Sequence, residues 1–285
     1  MASIVWIASY PRSGNTWVRA FLTALLNTGG ETPDLEHLVG GVIASSRSFI
    51  EAYLGYESQY IPYYDLHRLR KLVYKAHNKS LSHRQFIKIH DALVDKVTGE
   101  HLIDSQGAEC GIYIVRNPYD VAVSYSEFSS ISVEAAVNSL CDPDMCLANQ
   151  ANKGYDQVPQ FLGDWSWHVR SWTESKAFPI CVLQYEKLLL NPVEEFAKLV
   201  EFLGIQIGIK RIRDTVDAVA FSQLSVLEKK SGFSENYLGG NPFFGYGEMH
   251  RAASKLEPEQ ASMILERHRD VMAQYGYINC SGKAS

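Results

Sequence analysis

The stretch Ser3-Ile4-Val5-Trp6-Ile7-Ala8-Ser9-Tyr10-Pro11-Arg12-Ser13-Gly14-Asn15-Thr16-Trp17 constrains the fold more than any other part of the chain. An apolar run over 4–8 stops at a turn of small residues and passes into Trp17 to Leu26, which has the apolar spacing of a helix. Strand, tight loop and helix in that order make a phosphate cradle, in which loop N–H groups and the helix N-terminus face an anion. The spacing Ser9-x4-Gly14-Asn15-Thr16 is that of the ATP-binding loop G-x4-G-K-[ST] with two replacements. Ser9 stands for the first glycine, and Asn15 for the lysine that reaches the outer phosphates. Arg12 is the one cation inside the loop.

The chain has 285 residues, enough to bury the core of one α/β domain, and we read 1–285 as that domain. A hydrophobic share of 46% with 21% charged residues belongs to a globular protein rather than a disordered one. The net charge of −5 argues against a nucleic-acid partner, so an anionic ligand must meet local cations. No apolar run reaches membrane-spanning length, and the N-terminal run is too short for a signal peptide. The expectation is a cytoplasmic protein with no membrane span. Cys110, Cys141, Cys146, Cys181 and Cys280 form no C-x-x-C pair, which points to free thiols and to no metal site.

Short β-branched runs at 4–8, 86–89, 112–115 and 180–184 alternate with helical patterns, the grammar of a parallel sheet with helices on both faces. Leu72-Val73-Tyr74 is a weaker strand candidate. Helices are expected after Pro118, over 161–176, over 192–203 closed by Gly204, and over 257–274 with Pro258 in the first turn. Residues 28–70 and 129–160 read as long loops, and long loops on α/β folds tend to be functional. The first holds Phe49, Tyr53, Tyr56, Tyr60, Tyr63 and Tyr64, which pack either on the domain or on an acceptor molecule.

Three further clusters carry chemistry. The run Gly111 to Val115 ends at Arg116, at the strand crest where open α/β sheets bind ligands. A nucleoside-triphosphatase would end such a strand in a magnesium-binding aspartate, so a cation there argues for a second anion. Ser124, two turns into the next helix, adds a hydroxyl. In Phe86-Ile87-Lys88-Ile89-His90 the strand period puts Lys88 and His90 on one face, an imidazole suited to take a proton beside an ammonium suited to steady charge. Lys75-Ala76-His77 repeats the spacing just upstream, and the pair at 88–90 is preferred because a clear strand core precedes it. Trp165, His168 and Trp172 share a helix face and read as a packing stripe, and Tyr185 closes the last strand.

The loop Tyr10-Pro11-Arg12-Ser13-Gly14-Asn15-Thr16-Trp17 resembles the 5′-phosphosulfate loop T-Y-P-K-S-G-T-T-W of sulfotransferases that use 3′-phosphoadenosine 5′-phosphosulfate (PAPS). Arg116-Asn117-Pro118-Tyr119-Asp120-Val121-Ala122-Val123-Ser124 resembles their 3′-phosphate motif R-N-P-x-D-x-x-x-S, and Lys88-Ile89-His90 is similar to K-T-H. The resemblance runs from about residue 3 to residue 233. It implies a metal-independent transfer of sulfonate from PAPS to a hydroxyl or amine of a small-molecule acceptor, releasing adenosine 3′,5′-bisphosphate (PAP). It further implies that Pro11 to Thr16 hold the 5′-phosphate and sulfonate, and that Trp17 and Phe221 flank the adenine near Tyr185. Arg116 and Ser124 would take the 3′-phosphate, His90 would be the general base, and Lys88 and Arg12 would steady the transferring group.

The resemblance thins toward the C-terminus. Where the family closes over the cofactor with an R-K-G or F-F-R-x-G-K-x-G-x-W segment, this chain has Phe243-Phe244-Gly245, without the arginine and without the tryptophan. Within 229–255, Lys229, Lys230 and Arg251 are the candidates to replace that cation. The competing readings are a P-loop kinase, which lacks its lysine and its magnesium carboxylate here, and a non-catalytic nucleotide binder. The acceptor and the oligomeric state stay open, a homodimer among the options.

Overall fold

The computed structural model describes residues 3–27, 29–96, 98–149, 156–236, 242–244 and 251–278. The strands are β1 (Ile4–Ser9), β2 (Gly40–Ile43), β3 (Gln85–Ile89), β4 (Cys110–Val115), β5 (Cys146–Leu147), β6 (Gln160–Phe161) and β7 (Ile180–Gln184). The helices up to β4 are α1 (Asn15–Leu26), α2 (Arg47–Leu54) and α3 (Tyr63–Ser80). Between β4 and β7 come α4 (Pro118–Ser129), α5 (Val133–Cys141) and α6 (Trp165–Thr173). The chain continues through α7 (Tyr185–Leu190), α8 (Pro192–Phe202), α9 (Ile209–Ala218), α10 (Phe221–Ser231) and α11 (Pro258–Gln274).

Five strands pair in parallel in the order β2-β3-β1-β4-β7, with β1 at the centre. Alternation along the strands feeds two cores. Ile4, Trp6 and Ala8 of β1 with Tyr113 and Val115 of β4 face one side, against α3, α4, α6 and α11. Val5, Ile7, Ile112 and Ile114 face the other, against α1, α8 and α9, where Phe21 stacks on Phe196 at 3.8 Å. Both faces are covered, so every residue of β1 and β4 is buried. Because the strands run in one direction, the C-terminal ends of β1, β3, β4 and β7 open on one edge. The chain leaves β1 toward β3 on one side and β4 on the other, which makes the crevice there the place for a ligand.

The four expected strands are present, and the structure adds β2 as an edge strand. Leu72-Val73-Tyr74 is not a strand but part of α3, where Val73 and Tyr74 are buried and Leu72 is exposed, as helical rather than alternating geometry requires. Residues 28–70 are also far from loop-like: β2, α2 and the first turns of α3 lie within them. Phe49 packs on the core through Tyr74, Tyr53 and His77, whereas Tyr56, Tyr60 and Tyr64 are exposed. The 129–160 stretch likewise contains α5 and β5. Cys280 lies outside the described residues. Among the described residues no helix is long and apolar enough to cross a membrane.

Candidate active site

A cleft of about 450 Å³ opens at the crest of the sheet. The β1–α1 loop forms its floor, with Arg12 at φ +68° and Gly14 at φ +103°. At Gly14 only glycine fits, since a Cβ there would lie 2.6 Å from Cδ2 of Tyr185. The ring of Tyr185 thus lies directly under the loop, and the Arg116 guanidinium sits 4.3 Å from its centroid. Asn15 donates its Nδ2–H to the carbonyl of Ile7 at 3.1 Å, so this side chain ties the loop back to β1. At the position of the phosphate-reaching lysine, this side chain is therefore engaged with the strand. Ser13 is 1% exposed, and among the described residues its Oγ has no hydrogen-bond partner. An orphaned hydroxyl beneath an anion loop fits a ligand rich in acceptor oxygens.

The two anion motifs meet directly. Arg12 Nε donates to Ser124 Oγ at 3.2 Å, and Arg116 Nη1 donates to the carbonyl of Arg12 at 3.0 Å. The Arg12 guanidinium lies against two aromatic rings that meet edge to face, 4.5 Å from the centroid of Phe128 and 4.3 Å from that of Phe243. Burial, and then Arg116, draw its pKa down to about 10, which still leaves it cationic at neutral pH. The turn after β4 is fixed from below. Glu186 Oε1 accepts from Asn117 N at 2.9 Å, Glu186 Oε2 accepts from Tyr277 Oη at 3.0 Å, and Asn117 Oδ1 caps Tyr119 N at 3.1 Å.

At the far wall stand Lys88 and His90. His90 Nδ1 lies 2.9 Å from the carbonyl of Ser9. A carbonyl only accepts, so Nδ1 carries the proton and Nε2 the lone pair. Burial, and then Lys88, hold the imidazole pKa down to about 3, so it stays neutral. The strand end is steadied by α6. His168 Nε2 donates to the carbonyl of His90 at 2.9 Å, Trp172 Nε1 donates to that of Asp91 at 3.0 Å, and Ser171 Oγ accepts from Leu93 N at 3.0 Å. Tyr113 Oη completes the set by donating to His168 Nδ1 at 2.9 Å. The aromatic stripe is core, as its spacing predicts, and it also carries the hydrogen bonds that place His90. A buried Arg70–Asp91 pair, 2.7 Å apart, braces the same turn.

Pro11, Arg12, Gly14, Asn15, Thr16, Trp17, Lys88, His90, Arg116, Ser124, Tyr185 and Phe221 all line this one cleft. Trp17 and Phe221 do not stand apart as jaws, however. Their centroids are 4.9 Å apart, and Trp17 Nε1 is anchored to the carbonyl of Val219 at 3.0 Å. A purine between them requires Phe221 to move. Lys229 and Lys230 are exposed in the last turn of α10 and do not line the cleft, a place that suits cations at a helix C-terminus. The side chain of Arg251 lies outside the described residues, as do 245–250. Lys75 and His77 are on α3, away from the cleft. Lys75 pairs with Asp104 at 2.7 Å, and His77 contacts Tyr53 and Gln85.

The sequence reading placed Phe243 in the segment that closes over the cofactor but singled out none of Glu235, Arg19, Phe128, Gln157 and Gln160. Phe128 was within reach, since it follows Ser124 by one helical turn on α4. The others reach the site only through the tertiary fold. Glu235 bridges Lys88 and Arg19, while Gln157 and Gln160 line the side near His90.

The model of the sulfotransferase domain family matches residues 3–276. Sulfotransferase 1A1 of Canis lupus familiaris is 28% identical over 237 residues, 83% of this chain and 69% of that protein. Sulfotransferase 1B1 of the same species is 30% identical over 200 residues, covering 69% of this chain but only 57% of the relative's length. Among solved structures, mouse sulfotransferase SULT7A1 complexed with PAP shares the fold at a TM-score of 0.57 and 17% identity, over 97% of this chain and 88% of that one. Retinol dehydratase in complex with androsterone and PAP does so at 0.59 and 16%, over 94% and 80%. The match runs through every element that lines the cleft, and the chain belongs to the PAPS-dependent sulfotransferase family.

Proposed function

We propose that the whole chain works as one sulfotransferase unit that moves the sulfonate of PAPS onto a hydroxyl or amine of a small-molecule acceptor and releases PAP. One observation carries this reading: Arg12 bonds Ser124 across 112 residues while Arg116 bonds the Arg12 carbonyl across 104, so the two motifs form one surface in the cleft that His90 also lines. A donor with phosphates at both ends of a nucleoside matches such a surface. The β1–α1 loop with Ser13 holds the 5′ end, and Arg116 with Ser124 holds the 3′-phosphate.

His90 Nε2 takes the acceptor's proton as its oxygen or nitrogen bonds to sulfur. The bond from sulfur to the bridging phosphate oxygen breaks, and the electron pair stays on that oxygen. Arg12, Lys88 and the loop N–H groups oppose the charge that gathers there. A planar guanidinium packed against two rings holds a fixed anion well, but it follows a migrating charge less freely than an ammonium. Lys88 supplies the ammonium, ion-paired to Glu235 at 2.7 Å.

A thermal-shift comparison tests the binding half of this reading. PAP should raise the melting temperature without magnesium, and ATP with magnesium should raise it little; the opposite order overturns the assignment. Binding of PAP with no transfer to any acceptor in a broad panel would favour a nucleotide-binding role instead. Incubation with labelled PAPS and candidate acceptors then reads the chemistry.

A further inference from the structure

A carboxylate set against the lysine of an anion-binding cleft has the wrong sign for the ligand, and Glu235 is such a carboxylate. It lies in the turn after α10. Its Oε2 accepts from Lys88 Nζ at 2.7 Å and its Oε1 from Arg19 Nη1 at 2.6 Å. Arg19 is 1% exposed on α1, and its Nε donates to the carbonyl of Val39 at 2.8 Å, so this guanidinium is fixed. The turn itself is tied at both sides. Ser234 N donates to Glu36 Oε1 at 2.8 Å, and Asn236 Nδ2 donates to Glu228 Oε1 at 2.9 Å. Elements far apart in the chain therefore converge on one carboxylate.

Charge decides what the arrangement does. Two cations flank one carboxylate, so the trio keeps a net positive charge and still attracts an anion. An ammonium has three N–H donors, and Glu235 engages one of them. The groups that face Lys88 are Glu235 after α10, Arg19 on α1, Arg12 in the β1–α1 loop and the neutral His90 imidazole on its own strand end. Without the carboxylate, a largely buried amine would sit beside two guanidiniums. Burial and like charge would both favour its neutral form, which can oppose no developing negative charge.

We infer that Glu235, clamped by Arg19, is a positioning residue that keeps Lys88 protonated and held at the cleft wall. The catalytic use of Lys88 rests on the function proposed above, whereas its coupling to Glu235 is measured independently of that function. In protein carrying 13C-labelled lysine, the Lys88 13Cε resonance, identified by its loss in Lys88→Met, is titrated in the native chain and in Glu235→Gln. The midpoint should fall by about one unit or more in Glu235→Gln, and the alkaline limb of kcat/KM should move to lower pH with it. Glu235→Asp, which retains the charge, should restore most of both. A Glu235→Gln chain whose Lys88 titrates as in the native protein overturns the inference. So does one that binds PAP more tightly and transfers faster at every pH, the behaviour of a carboxylate that obstructs the donor. If the native chain binds no PAP and transfers no sulfonate, the proposed function fails, and the Lys88 titration still decides the coupling.

Discussion

His90 donates its Nδ1–H to the carbonyl of Ser9, the last residue of β1, at 2.9 Å. The strand that launches the anion loop thus also fixes the tautomer of the imidazole across the cleft. This geometry makes the assignment of the base testable by subtraction.

Replacing His90 by Ala should lower turnover by roughly 10²-fold or more, the usual scale of general-base catalysis, with PAP affinity nearly unchanged in calorimetry. His77→Ala should leave turnover close to native, because His77 bonds Tyr53 and Gln85 away from the cleft. A larger loss in His77→Ala than in His90→Ala would transfer the role to the upstream pair.

Ser124→Ala removes the hydroxyl that accepts from Arg12 Nε and, on our reading, a donor to the 3′-phosphate. Hydrogen bonds to charged groups are worth about 1.5 kcal/mol or more, so PAP should bind roughly tenfold more weakly. Calorimetry checks this, and an unchanged Kd would remove Ser124 from the nucleotide site.

Gly14→Ala forces a Cβ to within 2.6 Å of the Tyr185 ring at φ +103°. The backbone term alone costs about 1–2 kcal/mol, and the displaced ring withdraws the surface on which Arg116 stacks. The variant should melt at least several degrees lower and bind PAP more weakly. A native melting point and affinity would show that the loop and Tyr185 part freely.

Acid should destabilise the protein through its buried imidazoles. Burial lowers the pKa of His90 to about 3 and that of His168 to about 4, from an ordinary value of 6.5. Between pH 6.5 and about 4 the unfolded chain takes up protons that the folded one refuses, so stability present above 6.5 is lost as pH falls. At pH 5 the dependence of unfolding free energy on pH gives the proton uptake. It should drop by about one proton in His168→Gln. An unchanged slope would mean that His168 titrates normally in the folded chain.

What the chain disclosed by reading alone was local. The β1 loop, the β4 turn and Lys88-Ile89-His90 each fit within a strand end and its following turn, where residue type and spacing suffice to state the chemistry. Parallel β1, β3, β4 and β7 follow from the same short-range patterns, and parallel order alone brings their C-terminal ends to one edge. Local preference also misled, at Leu72-Val73-Tyr74, where a β-branched and aromatic run is overruled by a helix that buries Val73 and Tyr74 on one face.

The partners of those residues were decided only in three dimensions. Lys88 meets Glu235 across 147 residues, and Arg19 meets it across 216. Arg12 lies against Phe128 of α4 and against Phe243. Trp17 and Phe221 touch rather than stand apart. No pattern in sequence encodes such meetings, because an ion pair or a stacked ring depends on where packed layers bring chain segments that are distant in order. The sequence by itself placed two candidate anion motifs, one at the end of β1 and the other at the end of β4. Tertiary packing decided which charges balance there, which nitrogen of His90 carries the proton, and that Lys229 and Lys230, cations by composition, stand outside the cleft.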